Sequence, residues 1–246
     1  MNVLGIVPAR GGSKGVPRKS LRPLGGVPLL CYTAAAALAA RHLSRVVLST
    51  DDAEIAELGR RAGLEVPFAR PADLADDASP MLGVIQHAVR EVERLGPGSW
   101  DAVCLLQPTT PFRDASEIDE CIELFEATGA DCAITVRSIP AEHHPLWAYV
   151  QDADQTLRLF TGDAEPRTRR QDLPASFHRD GSVYVTRRDV IMDRNSIYGS
   201  RVVGLQRDGE ARVNIDTLGD WERAEQVVRR GSAPADWTSA CRPERA

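Results

Sequence analysis

At 246 residues, with 43% hydrophobic and 26% charged side chains, the chain is long enough to bury a substantial core as one large α/β domain or two small ones. Its net charge of −5 argues against a general affinity for nucleic acid or an anionic membrane surface. No apolar run approaches the roughly 20 residues that a membrane span needs, and no signal-peptide pattern precedes the first apolar segment.

Val3-Leu4-Gly5-Ile6-Val7 is too short for a helix and reads as a buried first strand. Pro8 is expected to end its ladder, having no N–H to donate. Ala9-Arg10-Gly11-Gly12-Ser13-Lys14-Gly15 follows as a loop. Its glycines let backbone N–H groups turn toward one point, while Arg10, Lys14, Arg18 and Lys19 place four cations within ten residues. The combination suits a triphosphate. It is neither the G-x-G-x-x-G dinucleotide fingerprint nor a Walker A loop. The competing reading is a surface turn with solvated charges.

Residues 29–40 are alanine-rich and helical, residues 46–50 a second strand, and Asp51-Asp52 opens a helix that stops at Gly63. Residues 65–68 read as a short third strand. Residues 79–95 read as an amphipathic helix with Ser79 as N-cap and Pro80 at its first position. Residues 102–106 form a further strand, 115–128 a helix and 131–136 a strand. Such alternation predicts an α/β fold: a mostly parallel, Rossmann-like sheet with helices on both faces and ligand at the carboxyl ends of its strands. Residues 138–180 lose all periodicity, which is unusual unless the stretch is functional or docks on a partner. Residues 181–185 resume a strand, 220–228 form a final helix, and 231–246 read as a flexible tail. The cysteines, Cys31, Cys104, Cys121, Cys132 and Cys241, are odd in number and nowhere spaced C-x-x-C. They read as reduced thiols in a cytoplasmic protein without a zinc site.

PARGGSKGVPRKS resembles the signature loop of the CMP-sialic acid synthetases (N-acylneuraminate cytidylyltransferases). Ser49-Thr50-Asp51, Leu106-Gln107-Pro108-Thr109-Thr110-Pro111, Arg170-Gln171-Asp172-Leu173-Pro174 and Ile215-Asp216-Thr217 match in the same order, so the resemblance spans residues 3 to 230. It implies one cytidylyltransferase domain over 1–230, with 138–180 as an arm that packs on a second subunit of a homodimer. CTP and an acidic sugar are the implied partners and Mg²⁺ the implied cofactor, with no nucleic acid and no membrane.

Arg10 and Lys19 are assigned to the triphosphate, where cations stabilise charge that develops during displacement. Gly11, Gly12 and Ser13 add donors. Lys14 is either a further contact or a solvated side chain. The family usually has asparagine where this chain has Ser20, and a hydroxyl replaces only part of that amide's bonding. The resemblance also makes Arg70 and Ser79 nucleotide contacts, against the plainer reading of Arg70 as a surface residue. Gln107, at the end of a buried strand, lies where open sheets bind ligands; the family makes it a substrate contact, with Thr109 beside it.

Period-2 alternation puts Asn214 and Asp216 on one face of a strand, where they would meet a Mg²⁺ that also holds phosphate oxygens. The family usually has aspartate at both positions. Arg169, Arg170 and Gln171 correspond to family residues near the sugar, whose carboxylate a guanidinium grips through two parallel bonds; Arg169 and Arg170 join Arg10 and Lys19 as catalytic candidates. Phe177 and Tyr184 either wall the sugar pocket or pack in the core. Nothing places His143 or His144 near the phosphates. The implied activity is attack by a nine-carbon 2-keto acid sugar (sialic, legionaminic or pseudaminic acid) on the α-phosphate of CTP, releasing pyrophosphate. The alternatives are the same chemistry on an eight-carbon ulosonic acid or a phosphonate, a sugar-1-phosphate nucleotidyltransferase, or a nucleotide-binding protein without turnover, which Ser20 and Asn214 motivate.

Overall fold

Strand β1 (Val3–Pro8) is buried along its whole length, and its alternate side chains serve two different cores. Val3 and Val7 enter one cluster, Leu4 and Ile6 the other. Full burial of one such side chain contributes about 1.5–3 kcal/mol, so a strand apolar on both faces goes to the middle of a sheet covered on both sides.

The computed structural model describes residues 1–76, 79–96, 98–209 and 211–231. After β1 the chain forms a two-stranded hairpin, β2 (Pro23–Leu24) and β3 (Val27–Pro28), turning through Gly25 and Gly26 at φ +56° and +85°. Then come α1 (Leu29–Ala39), β4 (Arg45–Ser49), α2 (Ala53–Arg61), α3 (Met81–Leu95), β5 (Ala102–Leu105), α4 (Ala115–Thr128) and β6 (Cys132–Ser138). The remainder holds β7 (Tyr149–Gln151), β8 (Leu157–Leu159), β9 (Phe177–Arg187), α5 (Arg188–Met192), β10 (Val202–Gln206) and α6 (Leu218–Arg229).

Two units emerge. Among the described residues, the first comprises Met1–Thr135, Asp180–Leu205 and those from Gly209 to Gly231; the second comprises Val136–Arg179 with Gln206–Asp208. The sheet of the first unit, in the order β10-β6-β9-β5-β1-β4, carries β1 between β4 and β5 and parallel to both, with β9 antiparallel beside β5. Side chains of α1, α2, α4 and α6 fill one core cluster, and those of α3 and α5 the other. The α/β sheet with helices on both faces is therefore as the alternation implied. Helix α1 is buried almost all round; α2 and α4 start at Asp52 and Asp114, whose carboxylates accept the first free N–H groups.

Several local expectations change. Pro8 stays in the ladder opposite Ser49. The strand expected at 65–68 shrinks to one bridge between Val47 and Glu65, because Pro67 has no donor to continue it. Ser79 does not cap α3: the helix starts after Pro80, and the Ser79 hydroxyl donates to the Asp73 carbonyl at 2.9 Å. Residues 213–217 form no strand; Thr217 instead caps α6 in a reciprocal box with Asp220. Cys104, Cys121 and Cys132 are buried free thiols. Cys31 is buried in α1, and Cys241 lies outside the described residues. The tail expected over 231–246 lies outside the described residues, apart from Gly231.

The second unit is held by backbone and polar bonds more than by a core. Ile139 N–H donates to the Ser176 carbonyl, Arg207 N–H to that of Val136, and Asp208 accepts from Ser138. Strands β7 and β8 pair as an antiparallel hairpin. Only Val136, His144 and Leu159 are buried in this unit, while Tyr149, Leu157, Phe160 and Phe177 are exposed.

Candidate active site

Three loops of the first unit converge at the carboxyl ends of β1 and β5. Residues 9–20 leave β1, residues 106–110 leave β5, and residues 213–217 lead into α6. The third is tied to both others: Ile215 N–H donates to the Thr109 carbonyl at 2.7 Å, and Lys19 Nζ donates to the Ile215 carbonyl at 2.5 Å. Gly15 permits this approach. A Cβ at that position would stand 1.9 Å from the Asp216 carbonyl oxygen, so no side chain fits. Ile6 accepts from Leu106 N–H at 3.0 Å, extending the β5 ladder by one residue and leaving Gln107 as the first residue beyond it.

The loops enclose a cavity of about 230 Å³. Arg10, Ser13, Lys19 and Ser20 line it from the first loop, Gln107 and Thr109 from the second, and Asp216 from the third; Arg70 and Met81 complete the wall. Eight residues singled out from the sequence thus meet around one space, although 206 positions separate Arg10 from Asp216 in the chain. Met81 gives no signal beyond its place in the first turn of α3.

Other motif residues hold the cavity's frame. Gly11 donates its N–H to Asp51 Oδ1 at 3.1 Å and does not line the cavity. Arg18, at φ +54°, binds Asp52 and Glu54 and so fastens the loop to the start of α2. Ser49-Thr50-Asp51 anchors this region. Arg70, only 6% exposed, donates to the hydroxyl and carbonyl of Ser49 through Nε and Nη2, at 3.1 and 2.5 Å. Burial pushes its guanidinium down to about 10, with Asp51 opposing and Arg10 adding to the shift. Arg10, Lys19 and Arg70 therefore gather around a cavity with one carboxylate, Asp216. That surplus of positive charge favours a polyanion.

Asn214 and Asp216 come together without a strand. Asn214 Nδ2 donates to Asp216 Oδ2 at 2.6 Å, and Lys19 Nζ lies 3.4 Å from Asp216 Oδ1. Among the described residues no cluster of three His, Cys, Asp or Glu side chains is placed to hold a metal. One exposed carboxylate and an amide carbonyl beside a phosphate-sized cavity still fit Mg²⁺, which takes one or two carboxylates, substrate phosphates and several waters.

The sugar-side candidates divide. Gln107 and Thr109 are at the cavity. Tyr184 is not: it is 6% exposed and packs edge-on against Tyr198 in the second core cluster. Gly12, Lys14 and Ser79 lie outside the lining. Arg169, Arg170, Gln171 and Phe177 belong to the second unit, where Arg170 and Phe177 line a separate hollow of about 380 Å³ with Ser138, His144, Ser176 and Gln206. Arg169 forms a two-point pair with Asp172 on its own turn, and Gln171 is exposed. His144 is structural: Nδ1 accepts from Leu146 N–H and Nε2 meets the Pro174 carbonyl.

A basic, loop-built cavity at the carboxyl ends of parallel strands marks a nucleotide-using α/β transferase. The cytidylyltransferase family model matches residues 4–229, and the chain belongs to that family. It is 31% identical over 232 residues to the CMP-N,N′-diacetyllegionaminic acid synthase of Legionella pneumophila, covering 93% of this chain and 97% of that one. It is also 31% identical to the pseudaminic acid cytidylyltransferase of Campylobacter jejuni, with the same coverage. Among solved structures, a CMP:2-keto-3-deoxy-manno-octonic acid synthetase complexed with CTP superposes with a TM-score of 0.69 at 17% identity, over 94% of this chain and all of that one. At that identity the likeness is one of fold.

Proposed function

We propose that the chain transfers a cytidylyl group from CTP to a nine-carbon 2-keto acid sugar of the sialic, legionaminic or pseudaminic kind. The observation that carries this reading is the cavity itself: three cations, the Gln107–Thr109 turn and Asp216 meet around it, in a chain whose relatives are named for such sugars. The anomeric hydroxyl oxygen bonds to the α-phosphorus, the bond from that phosphorus to its bridging oxygen breaks, pyrophosphate leaves, and the hydroxyl proton passes to water.

The protein's part is positioning and charge stabilisation, as is usual in phosphoryl-type transfer. Arg10 and Lys19 hold the triphosphate and stabilise the departing pyrophosphate. Arg70 keeps the Ser49 end of β4 in place and adds its charge to the wall. Gln107 and Thr109 orient the sugar. Asp216, with the Asn214 carbonyl, would hold Mg²⁺, which when bound neutralises phosphate charge.

A second copy of the chain is the proposed partner of the second unit. With three buried residues and four large apolar side chains exposed, that unit has too little core to stand by itself. No helix among the described residues is long and apolar enough to cross a membrane, and we assign the enzyme to the cytoplasm. Pyrophosphate release with CTP, Mg²⁺ and a panel of N-acetylneuraminic, N,N′-diacetyllegionaminic and pseudaminic acids tests the reading. Turnover of at least one supports it; CTP binding with no release across the panel refutes it.

A further inference from the structure

Arg113 is fully buried, yet its hydrogen bonds go to neutral oxygens. Nε donates to the Ser182 carbonyl, Nη1 to the Thr33 hydroxyl at 2.7 Å, and Nη2 to the Gln107 carbonyl. Burial lowers the guanidinium to about 10, and the charges of Glu117 and Asp180 oppose that shift, so it stays protonated near neutrality. Glu117 and Asp180 are themselves buried and bound by Arg212, Glu117 through two bonds of 2.8 and 2.6 Å and Asp180 at 3.3 Å. Thr135 adds a 2.6 Å bond to Asp180. One guanidinium and two carboxylates are thus buried together, with the Arg212 side chain 15% exposed beside them.

Apolar residues of similar volume often pack as stably as such a cluster, so its geometry calls for another explanation. A guanidinium is a rigid planar fork that fixes several oxygens at once. Here the fork joins α1, β9 and the turn that carries Gln107. Among the described residues, the Gln107 carbonyl accepts, besides Arg113, only a long 3.3 Å bond from Thr110 N–H. Holding that carbonyl fixes the backbone at Gln107, a residue that lines the cavity.

We infer that Arg113 is a positioning residue that acts on the acid sugar through Gln107. The inference rests on the reading of Gln107 as a sugar contact. Arg113→Lys keeps the charge and loses the fork. In the full-length enzyme, with whichever sugar of the panel turns over fastest, Arg113→Lys should raise the sugar KM about 10-fold while leaving the CTP Kd within about two-fold. Hydrogen exchange should rise in the segment 105–112 and stay unchanged in 9–20. Because both residues act through one contact, Arg113→Lys should add no loss to Gln107→Ala. Additive losses, a CTP Kd rising in parallel, or unchanged exchange at 105–112 overturn the inference. An unchanged sugar KM in Gln107→Ala overturns the sugar assignment and the inference with it, which tells the two failures apart. Should Arg113→Lys fail to fold, Thr33→Val loosens the same fork without removing its charge and should move the sugar KM and the exchange in the same direction; no movement in either overturns the inference.

Discussion

Lys19 does two things with one ammonium group. It ties the loop of residues 9–20 to the Ile215 carbonyl, and it faces Asp216 at the cavity. Lys19→Ala should therefore lower kcat/KM for CTP by about 100-fold, the scale seen when one charge-stabilising donor is removed; a drop under about five-fold in the pyrophosphate assay would remove Lys19 from the triphosphate site. Asn214 makes the opposite case, a charge that this chain lacks. Its amide sits 2.6 Å from an Asp216 oxygen. Asn214→Asp puts two carboxylates at that distance, a repulsion that only a cation relieves. The variant should melt below wild type in EDTA and recover in millimolar Mg²⁺, with a lower half-saturating Mg²⁺ concentration than wild type. Equal melting temperatures in both media would argue that position 214 takes no part in holding the ion.

At the scale of elements, the start of α6 fixes the end of the Asn214–Asp216 segment. Burial raises the Asp220 carboxyl, but the Thr217 hydroxyl, Arg223 and the N–H groups of Thr217 and Asp216 outweigh it and bring it to about 2. That lies below the roughly 3.9 of an unfolded aspartate. The stability it contributes is thus complete above about pH 4 and is lost as the pH falls toward 2. In thermal melts, wild type should exceed Asp220→Asn at pH 6 and converge with it near pH 2; a gap independent of pH would contradict the assignment. Elements with their own punctuation were legible in the sequence. Helix α4 lies where Asp114 and Gly129 bracket it, and β1 runs into its glycine loop as written. The segment 213–217 was not: alternation describes an extended chain equally well without ladder partners, and its ties turned out to be the Thr109 carbonyl and the Lys19 ammonium rather than a neighbouring strand.

At the scale of the molecule, the first unit could be read from alternating periods, whereas the second could not, because it has little core to impose a period. The cavity residues were legible as separate strings, two of which end the parallel strands β1 and β5. Arg113 was missed because its partners are backbone and hydroxyl oxygens from β9, α1 and the turn, which no local spacing announces. The place of Tyr184, pocket wall or core, was not legible because both faces of β9 are apolar: Val183 and Val185 fill the first core cluster and Tyr184 the second. The exposed Tyr149, Leu157 and Phe160 lead to a prediction for the assembly. Light scattering after gel filtration should give a dimer for wild type and a monomer for the Leu157→Glu, Phe160→Glu double variant. A wild-type monomer at micromolar concentration would remove the second copy from the account.

The central claim is that CTP occupies the cavity bounded by residues 9–20, 106–110 and 213–217. A crystal structure with CTP and Mg²⁺ tests it most directly. The account predicts the triphosphate against Arg10 and Lys19, with the ion between its oxygens and Asp216. Nucleotide bound at any other place, with that cavity holding only solvent, would contradict it.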